Sequence, residues 1–333
     1  MTSFGPLERL AESTLDRPVE RKRMLVIVNP AASTMSPRLR GVVVAALHGR
    51  YDVDAIDTRA RGHATELCHE AARDGYDVVV SFGGDGTVNE VANGLAGSDT
   101  PLTCLPGGAT NVFCQMLGIP GEIVDATEHL LRMADVWRPR RVDLGTANGR
   151  CFTYASGYGF DASVVKRIER QPGLKQHRLR ELYFVYCAIE TALREYVRNP
   201  PRMDVEIAGD ASAREAGVDH AISAIVQNGD AFTYLGDKPL ALAPGGGLDT
   251  GTLAGLALRG VRPRDIAGLA RRVLSSKRSI AGHPQVLAFR DVDGLRCVSS
   301  DGSEIPLHVD GDHIGDVTEA VFGVRPGALG VVA

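Results

Sequence analysis

One carboxylate sits inside a run of residues otherwise suited to cradling phosphate. The stretch Ser81-Phe82-Gly83-Gly84-Asp85-Gly86-Thr87-Val88-Asn89-Glu90 follows the apolar run Tyr76-Asp77-Val78-Val79-Val80. It opens into residues 88–95 at helical spacing. Strand, tight glycine loop and helix start form a site where bare N–H groups meet anionic oxygens. An acid in such a loop would repel phosphate directly. Asp85 makes chemical sense if it works through a bound Mg²⁺ or faces a hydroxyl. The loop therefore reads as a phosphate cradle with an acid that needs a metal ion or a hydroxyl beside it.

The elements that must position this loop read as a parallel α/β unit. Met24–Val28 is an apolar strand ending in Asn29-Pro30. A helix is expected over Arg38–Arg50, a strand over Tyr51–Ile56 ending at Thr58, and a helix from Gly62-His63 to Gly75. The third strand is 76–82. A fourth, Pro101–Pro106, leads into Gly107-Gly108-Ala109-Thr110-Asn111-Val112-Phe113. Alternating strand and helix predicts a doubly wound parallel sheet, whose ligands bind beyond the C-terminal strand ends. Asn29, Thr58, Gly83–Asn89 and Gly107–Asn111 all fall there. Asn and Thr are also common as loop and capping residues, so it is their convergence on one edge that marks a site. Neither G-x-x-x-x-G-K-[ST] nor a complete G-x-G-x-x-G occurs. Gly157-Tyr158-Gly159-Phe160-Asp161-Ala162 lacks the third glycine and reads as a turn in a β-rich domain.

Gly83-Gly84-Asp85-Gly86-Thr87 with Asn89-Glu90, followed by Pro106–Phe113 and Leu117-Gly118-Ile119-Pro120, resembles the diacylglycerol kinase catalytic-domain family. These are lipid kinases related to sphingosine kinases. The G-G-D-G-T element is shared with NAD kinases; the block at 106–120 is what points to a lipid acceptor. The resemblance runs from about residue 24 to the C-terminus. It implies ATP as phosphoryl donor with Mg²⁺, and Asn29, Thr58, Gly83, Gly84, Asp85, Gly86, Thr87, Asn89, Glu90, Gly107, Thr110 and Asn111 at the nucleotide. The glycine that usually follows Asn29-Pro30 in the family is missing from Ala31-Ala32-Ser33-Thr34.

The second half changes period. Met203–Ile207, Ala221–Val226, Leu240–Ala243, Thr252–Leu258, Gln285–Phe289 and Leu295–Ser299 read as short antiparallel strands. The resemblance makes this a β-sandwich on the lipid side, and returns 319–333 to the first unit. The expected division is a tail over 1–22 with a short helix around Leu7–Leu15, a nucleotide-binding unit over 23–145 with 319–333, and a β-rich unit over 146–318. Two helices interrupt the strands. Leu174–Arg198 carries Leu179, Leu182, Tyr183, Tyr186, Ile189, Leu193 and Tyr196 at helical spacing, and Arg262–Ile280 has a basic flank. Both read as amphipathic helices packed on the sandwich with solvated basic faces; contact with an anionic lipid surface is the alternative.

Phosphoryl transfer needs a carboxylate to take the acceptor's proton. His308-Val309-Asp310-Gly311-Asp312-His313 stands where the resemblance places a D-G-E motif with its general base. Asp312 occupies the glutamate position, one methylene shorter, and Asp310 is a rival beside Asp85. A polar hairpin turn is the plain reading of the same stretch. A metal site on His308 and His313 is disfavoured, because strand alternation separates them. Gly247-Leu248-Asp249-Thr250-Gly251 resembles a block in which a second aspartate holds a structural Mg²⁺. Here Thr250 stands at that place, leaving Asp249, with Asp143, as the metal candidates.

Bulk properties narrow the class. The 333 residues, 44% hydrophobic and 23% charged, fit a two-domain globular protein. The net charge of −4 argues against general nucleic-acid binding. Six scattered cysteines without C-x-x-C read as buried reduced thiols of a cytoplasmic protein. No apolar run approaches a membrane span and no secretory signal is evident. Peripheral contact with a membrane is thus the expectation, and a homodimer is compatible with the sequence. A kinase converting diacylglycerol to phosphatidic acid is the leading reading. An NAD kinase-like enzyme and a non-catalytic lipid-binding relative are the alternatives.

Overall fold

The computed structural model describes residues 21–170, 180–197, 200–208, 217–235, 238–240, 242–243, 245–273 and 280–333. The tail, with the helix expected around Leu7–Leu15, lies outside them. The chain divides into two compact units. One runs up to Val142 and takes in Gly327–Ala333; the other is Asp143–Pro326.

The first unit alternates strand and helix. Its elements are β1 (Arg23–Val28), α1 (Pro37–His48), β2 (Asp52–Asp57), α2 (His63–Arg73), β3 (Val78–Gly83), α3 (Asp85–Leu95), β4 (Leu102–Pro106), α4 (Val112–Met116) and α5 (Ile123–Met133). The strands pair in the order β2-β1-β3-β4, all parallel. Val331, near the chain end, pairs in parallel with Leu102 beyond β4. Every residue of β3 and β4 is buried, which is why they read as unbroken apolar runs rather than alternating ones. Helix α1 begins at Ser36-Pro37. The Ser36 hydroxyl accepts from the Leu39 N–H at 3.2 Å, and proline occupies a position whose N–H would have no partner. The helices pair as α2 with α3 and α1 with α5.

The second unit is built from β5 (Arg140–Ala147, entering from the first unit), β6 (Arg150–Phe152), β7 (Ala155–Gly159), α6 (Phe160–Glu169), α7 (Arg180–Thr191) and β8 (Met203–Ala208). Then come β9 (Val218–Ala221), β10 (Ser223–Gln227), β11 (Thr233–Leu235), β12 (Lys238–Leu240), β13 (Leu253–Leu258) and α8 (Pro263–Val273). It closes with β14 (Val286–Val292), β15 (Gly294–Ser299), β16 (Ile305–Val309), β17 (Asp312–Val317) and β18 (Glu319–Val331, leaving toward the first unit). One antiparallel sheet has the order β14-β13-β10-β7-β16-β17; the other runs β9-β8-β15-β18 with β5 and β6 beside β18. Phe152, Tyr158, Met203, Val205, Val226, Leu295 and Phe322 meet in the core between them.

Two expectations change here. The strand expected over Ala221–Val226 is broken at buried Ile222, so that β9 and β10 lie in different sheets; His220, at φ 56°, precedes the crossing. The strand expected over Leu240–Ala243 is instead Lys238–Leu240, pairing locally with β11. The parts of the two expected helices at 174–179 and 274–279 lie outside the described residues.

Candidate active site

The two glycine loops of the first unit are packed against each other backbone to backbone. They follow β3 and β4, adjacent parallel strands in which Gly83 is aligned with Pro106. The Gly107 N–H donates to the Gly83 carbonyl at 2.9 Å. A Cβ on Gly107 would lie 3.0 Å from the Gly83 Cα, and one on Gly108 would lie 2.6 Å from the Gly84 Cα. Side chains are excluded here first by the neighbouring loop, whatever ligand approaches. The loop at 108–111 is closed reciprocally: the Gly108 N–H donates to Asn111 Oδ1 and Asn111 Nδ2 donates to the Gly108 carbonyl, both at 2.9 Å. Asn111 is in the left-handed region at φ 50°, which asparagine tolerates better than most residues. The Gln115 amide donates to the Thr110 carbonyl at 2.7 Å.

Asn29 ties the third loop to these two. Its Nδ2 donates to Thr87 Oγ1 at 3.0 Å, and its Oδ1 accepts from the Ala31 N–H at 3.0 Å. Thr34 donates through its hydroxyl to the Gly107 carbonyl at 2.8 Å. These bonds occupy the place where the family resemblance led us to expect another glycine. The Thr58 N–H donates to the Val28 carbonyl at 2.8 Å, which sets Thr58 at the same strand edge.

Asp85 is the first residue of α3 and half-buried. Its Oδ1 accepts from the Phe113 N–H, at 3.4 Å, in the first turn of α4. It is the only acid of the segments 83–87 and 107–111. Beneath it the Cys114 thiol is held well above its ordinary pKa, first by a hydrogen bond with Cys104, then by burial, with the Asp85 charge adding to both. That thiol is no nucleophile at neutral pH. All six cysteines are free and buried.

Glu90 has a different place from the loops. Its carboxylate accepts from the Gly62 N–H at 2.9 Å and the Ala64 N–H at 3.2 Å, and its carbonyl accepts from the Thr65 hydroxyl at 2.8 Å. It caps α2, whose own N-cap, Gly62, has no side chain to do so. Asn89 is buried, and Asn93 Nδ2 donates to its carbonyl at 2.8 Å. Replacing Glu90 with Ala is expected to lower stability by roughly 1–2 kcal/mol, read as a shift in the urea midpoint. An unchanged midpoint would refute the capping role.

In the second unit, Asp310 and Gly311 form the two-residue turn between β16 and β17, with φ 48° and 77°. The Asp310 carboxylate is buried and accepts four bonds: Thr153 N–H at 2.7 Å, Thr153 Oγ1 at 2.9 Å, Tyr154 N–H at 3.0 Å and Ala155 N–H at 3.2 Å. A carboxylate so engaged anchors the turn and is poorly placed to take up a proton. Asp312, the first residue of β17, is half-buried. His308 supports the turn from below. Its Nε2 lies 2.9 Å from Asp161 Oδ2, whose other oxygen accepts from Ser223 Oγ at 3.0 Å. The carboxylate requires a proton on Nε2, which leaves Nδ1 to accept from the Gly311 N–H at 3.4 Å. Farther along β17, Asp316 pairs with Lys166 and His313. Burial opposes ionisation there, but the two partners hold its carboxyl below the ordinary value.

The diacylglycerol kinase catalytic domain family matches residues 23–147, the stretch that holds all three loops. Over these residues, rather more than a third of the chain, the protein is similar to the diacylglycerol kinase catalytic domain family. It is 36% identical to the diacylglycerol kinase of Bacillus subtilis (strain 168) over 143 residues, 41% of this chain and 46% of that protein. The alignment thus spans about half the length of that relative. A Pseudomonas syringae pv. syringae (strain B728a) protein named "Probable lipid kinase YegS-like" is 27% identical over 322 residues, 94% of this chain and 93% of that one. The crystal structure of a diacylglycerol kinase from Bacillus anthracis str. Sterne superposes with a TM-score of 0.66 at 21% identity, covering 94% of this chain and 97% of that one. At that identity the likeness shows the fold alone.

The diacylglycerol kinase resemblance implies a structural Mg²⁺ in the second unit, and the residues present do not fit one. Asp249 is exposed. Asp143 is buried, and its carboxylate accepts from the Gly251 N–H at 2.6 Å. The Thr250 hydroxyl reaches the Gly247 and Thr252 carbonyls at 3.2 and 3.1 Å, so a side-chain hydroxyl closes the loop. Among the described residues no group of three His, Cys, Asp or Glu is placed to hold a metal. Excess EDTA is therefore expected to leave the thermal midpoint unchanged; a fall of several degrees would reveal a bound cation.

Asp161 was missed by sequence reasoning. Gly157-Tyr158-Gly159 reads from sequence as a turn in a β-rich domain, with no role for the acid that follows it. A Cβ on Gly157 would meet Asp161 Oδ2 at 1.6 Å, so this glycine makes room for the carboxylate that orients His308.

Proposed function

We propose that the protein is an ATP-dependent lipid kinase, with diacylglycerol as acceptor and phosphatidic acid as product. The observation that carries this reading is the interlocked pair of glycine loops with one carboxylate, Asp85, at the start of α3. The family match over the same residues supports it. Diacylglycerol is favoured as acceptor by the name of the Bacillus subtilis relative. The N–H groups at the start of α3 receive phosphate oxygens, and Asn29, Thr58 and Thr110 hold the nucleotide at the strand edge. Asp85 is the loop carboxylate that would hold Mg²⁺ bound with ATP, and the ion would there offset charge developing on the phosphates.

Asp312 is the proposed proton acceptor. As the lipid hydroxyl oxygen bonds to the γ-phosphorus, its proton passes to the Asp312 carboxylate, directly or through a water. The bond from that phosphorus to the bridging oxygen breaks and ADP leaves. Asp310 and the Asp161–His308 pair fix the turn that carries Asp312. Asp143 and Asp249 take no part in metal binding in this scheme. Asn111 acts by shaping its loop, and Glu90 by capping α2.

Wild-type protein should be assayed with ATP against diacylglycerol, a sphingoid base and ceramide in mixed micelles, and against NAD. Phosphatidic acid as the main product is expected. Rapid NADP formation without lipid phosphate would overturn the reading in favour of an NAD kinase. Phosphorylation of a different lipid would keep the lipid kinase and replace the acceptor.

A further inference from the structure

The apolar stripe expected to pack on the second unit is split: Tyr196 is buried, while Tyr186, Ile189 and Leu193 are exposed. Among the described residues five large apolar side chains are exposed: Val136, Tyr186, Ile189, Leu193 and Val321. Three of them lie on α7 and the wider π turn that extends it, Ala192–Tyr196, with Tyr186, Ile189 and Leu193 exposed by 58%, 41% and 46%. Spacings of three and four residues put them on one face. The Tyr183 ring stacks on Tyr186 at 6.3 Å and extends the stripe toward the N-terminus. The opposite face is the one that packs. Cys187, Thr191, Ala192 and Tyr196 are buried, and Tyr196 sits edge-on to Phe160 at 5.1 Å and bonds Ser163 at 2.8 Å. The outward stripe is therefore not a packing surface left over by a helix with nothing else to bury.

The charge around this face separates lipid from protein as its occupant. Between residues 166 and 198 the sequence has eight Lys or Arg against four Glu, an excess of four positive charges. The whole chain carries −4. Of those glutamates, Glu190 bonds Arg167 at 3.1 Å and Arg194 at 2.7 Å, and Glu195 pairs with Arg167, so these two acids are already offset. The Arg194 side chain stays 71% exposed beside Leu193. An apolar stripe ending in a largely exposed arginine, on a locally basic segment of an acidic protein, suits the boundary between acyl chains and anionic headgroups. A second copy of this chain would bring the same excess of positive charge to the contact.

We infer that the exposed face of α7, centred on Tyr186, Ile189 and Leu193, docks on an anionic lipid bilayer. This deepens the lipid-kinase reading and rests on it for its purpose, since such an acceptor resides in a membrane. It can be tested apart from it. Full-length protein is sedimented without ATP with vesicles of equal parts phosphatidylcholine and phosphatidylglycerol, and with vesicles of phosphatidylcholine alone. Wild type is expected to pellet with the anionic vesicles and release in high salt. The triple variant Tyr186→Ser/Ile189→Ser/Leu193→Ser should bind at least about tenfold more weakly. It should keep its melting temperature and its activity on detergent-dispersed lipid. Val136→Ser/Val321→Ser, removing exposed apolar groups elsewhere, should bind as wild type does.

Equal binding by the triple variant and wild type would overturn the inference. So would wild type that ignores vesicles, or a vesicle-free dimer that the triple variant abolishes. A protein that pellets through this face but phosphorylates no lipid would sink the kinase reading and leave the docking face standing. Turnover of dispersed lipid by a protein that ignores vesicles would do the opposite.

Discussion

Asp85→Asn is expected to lower kcat by roughly 10²–10⁴-fold while leaving the fold intact. The substitution keeps the side chain's shape and an Oδ1 that can still accept from the Phe113 N–H at 3.4 Å. What it removes is the charge. That charge is the only acidic one in the two glycine loops, so no neighbour there can replace it near the phosphates. The stability cost of neutralising an acid in the first turn of α3 is at most about 1 kcal/mol. Thermal melting should therefore change little while turnover collapses. Near-normal turnover would mean that the reacting phosphate lies elsewhere.

Gly108→Ala is expected to weaken ATP binding by about 10²-fold and to cost about 1–3 kcal/mol of stability. The added Cβ would lie 2.6 Å from the Gly84 Cα and 3.0 Å from Asn111 Oδ1. The nearest obstacle is backbone, so no rotamer change relieves it. The two loops must part, and the reciprocal Gly108–Asn111 bonds loosen with them. Gly41→Ala provides the contrast. Gly41 lies in α1 with nothing within 4 Å of an added Cβ, and alanine there should gain about 0.5–1 kcal/mol. Calorimetric titration with ATP and denaturant melts of both variants check this. Equal behaviour of the two would show that the loop packing is dispensable.

These two predictions also mark how far the sequence could be read. The parallel unit was legible because β1, β3 and β4 are buried apolar runs and each ends in small or polar residues at one sheet edge. Resemblance then named the loops. The mutual packing of Gly83-Gly84 on Gly107-Gly108 was not legible, because each loop alone looks like a phosphate cradle; only the alignment of β3 with β4 shows that the glycines also make room for each other. Glu90 and Asp310 illustrate the same limit. An acid in a motif has the same letter whether it meets a ligand or accepts backbone N–H bonds, and here both carboxylates are engaged by N–H donors. Helical periodicity found the stripe on α7 but carries no sign for inward or outward. At Thr250 the sequence showed a missing carboxylate, and the structure supplies what replaces it, a hydroxyl bonded across the loop.

The most direct test is transfer of label from [γ-³²P]ATP into a total lipid extract, with the products resolved after organic extraction. Wild type is predicted to yield an organic-soluble phospholipid running with phosphatidic acid, and Asp85→Asn to yield almost none. No labelled lipid from wild type in any detergent, or equal labelling by the two proteins, would contradict the account.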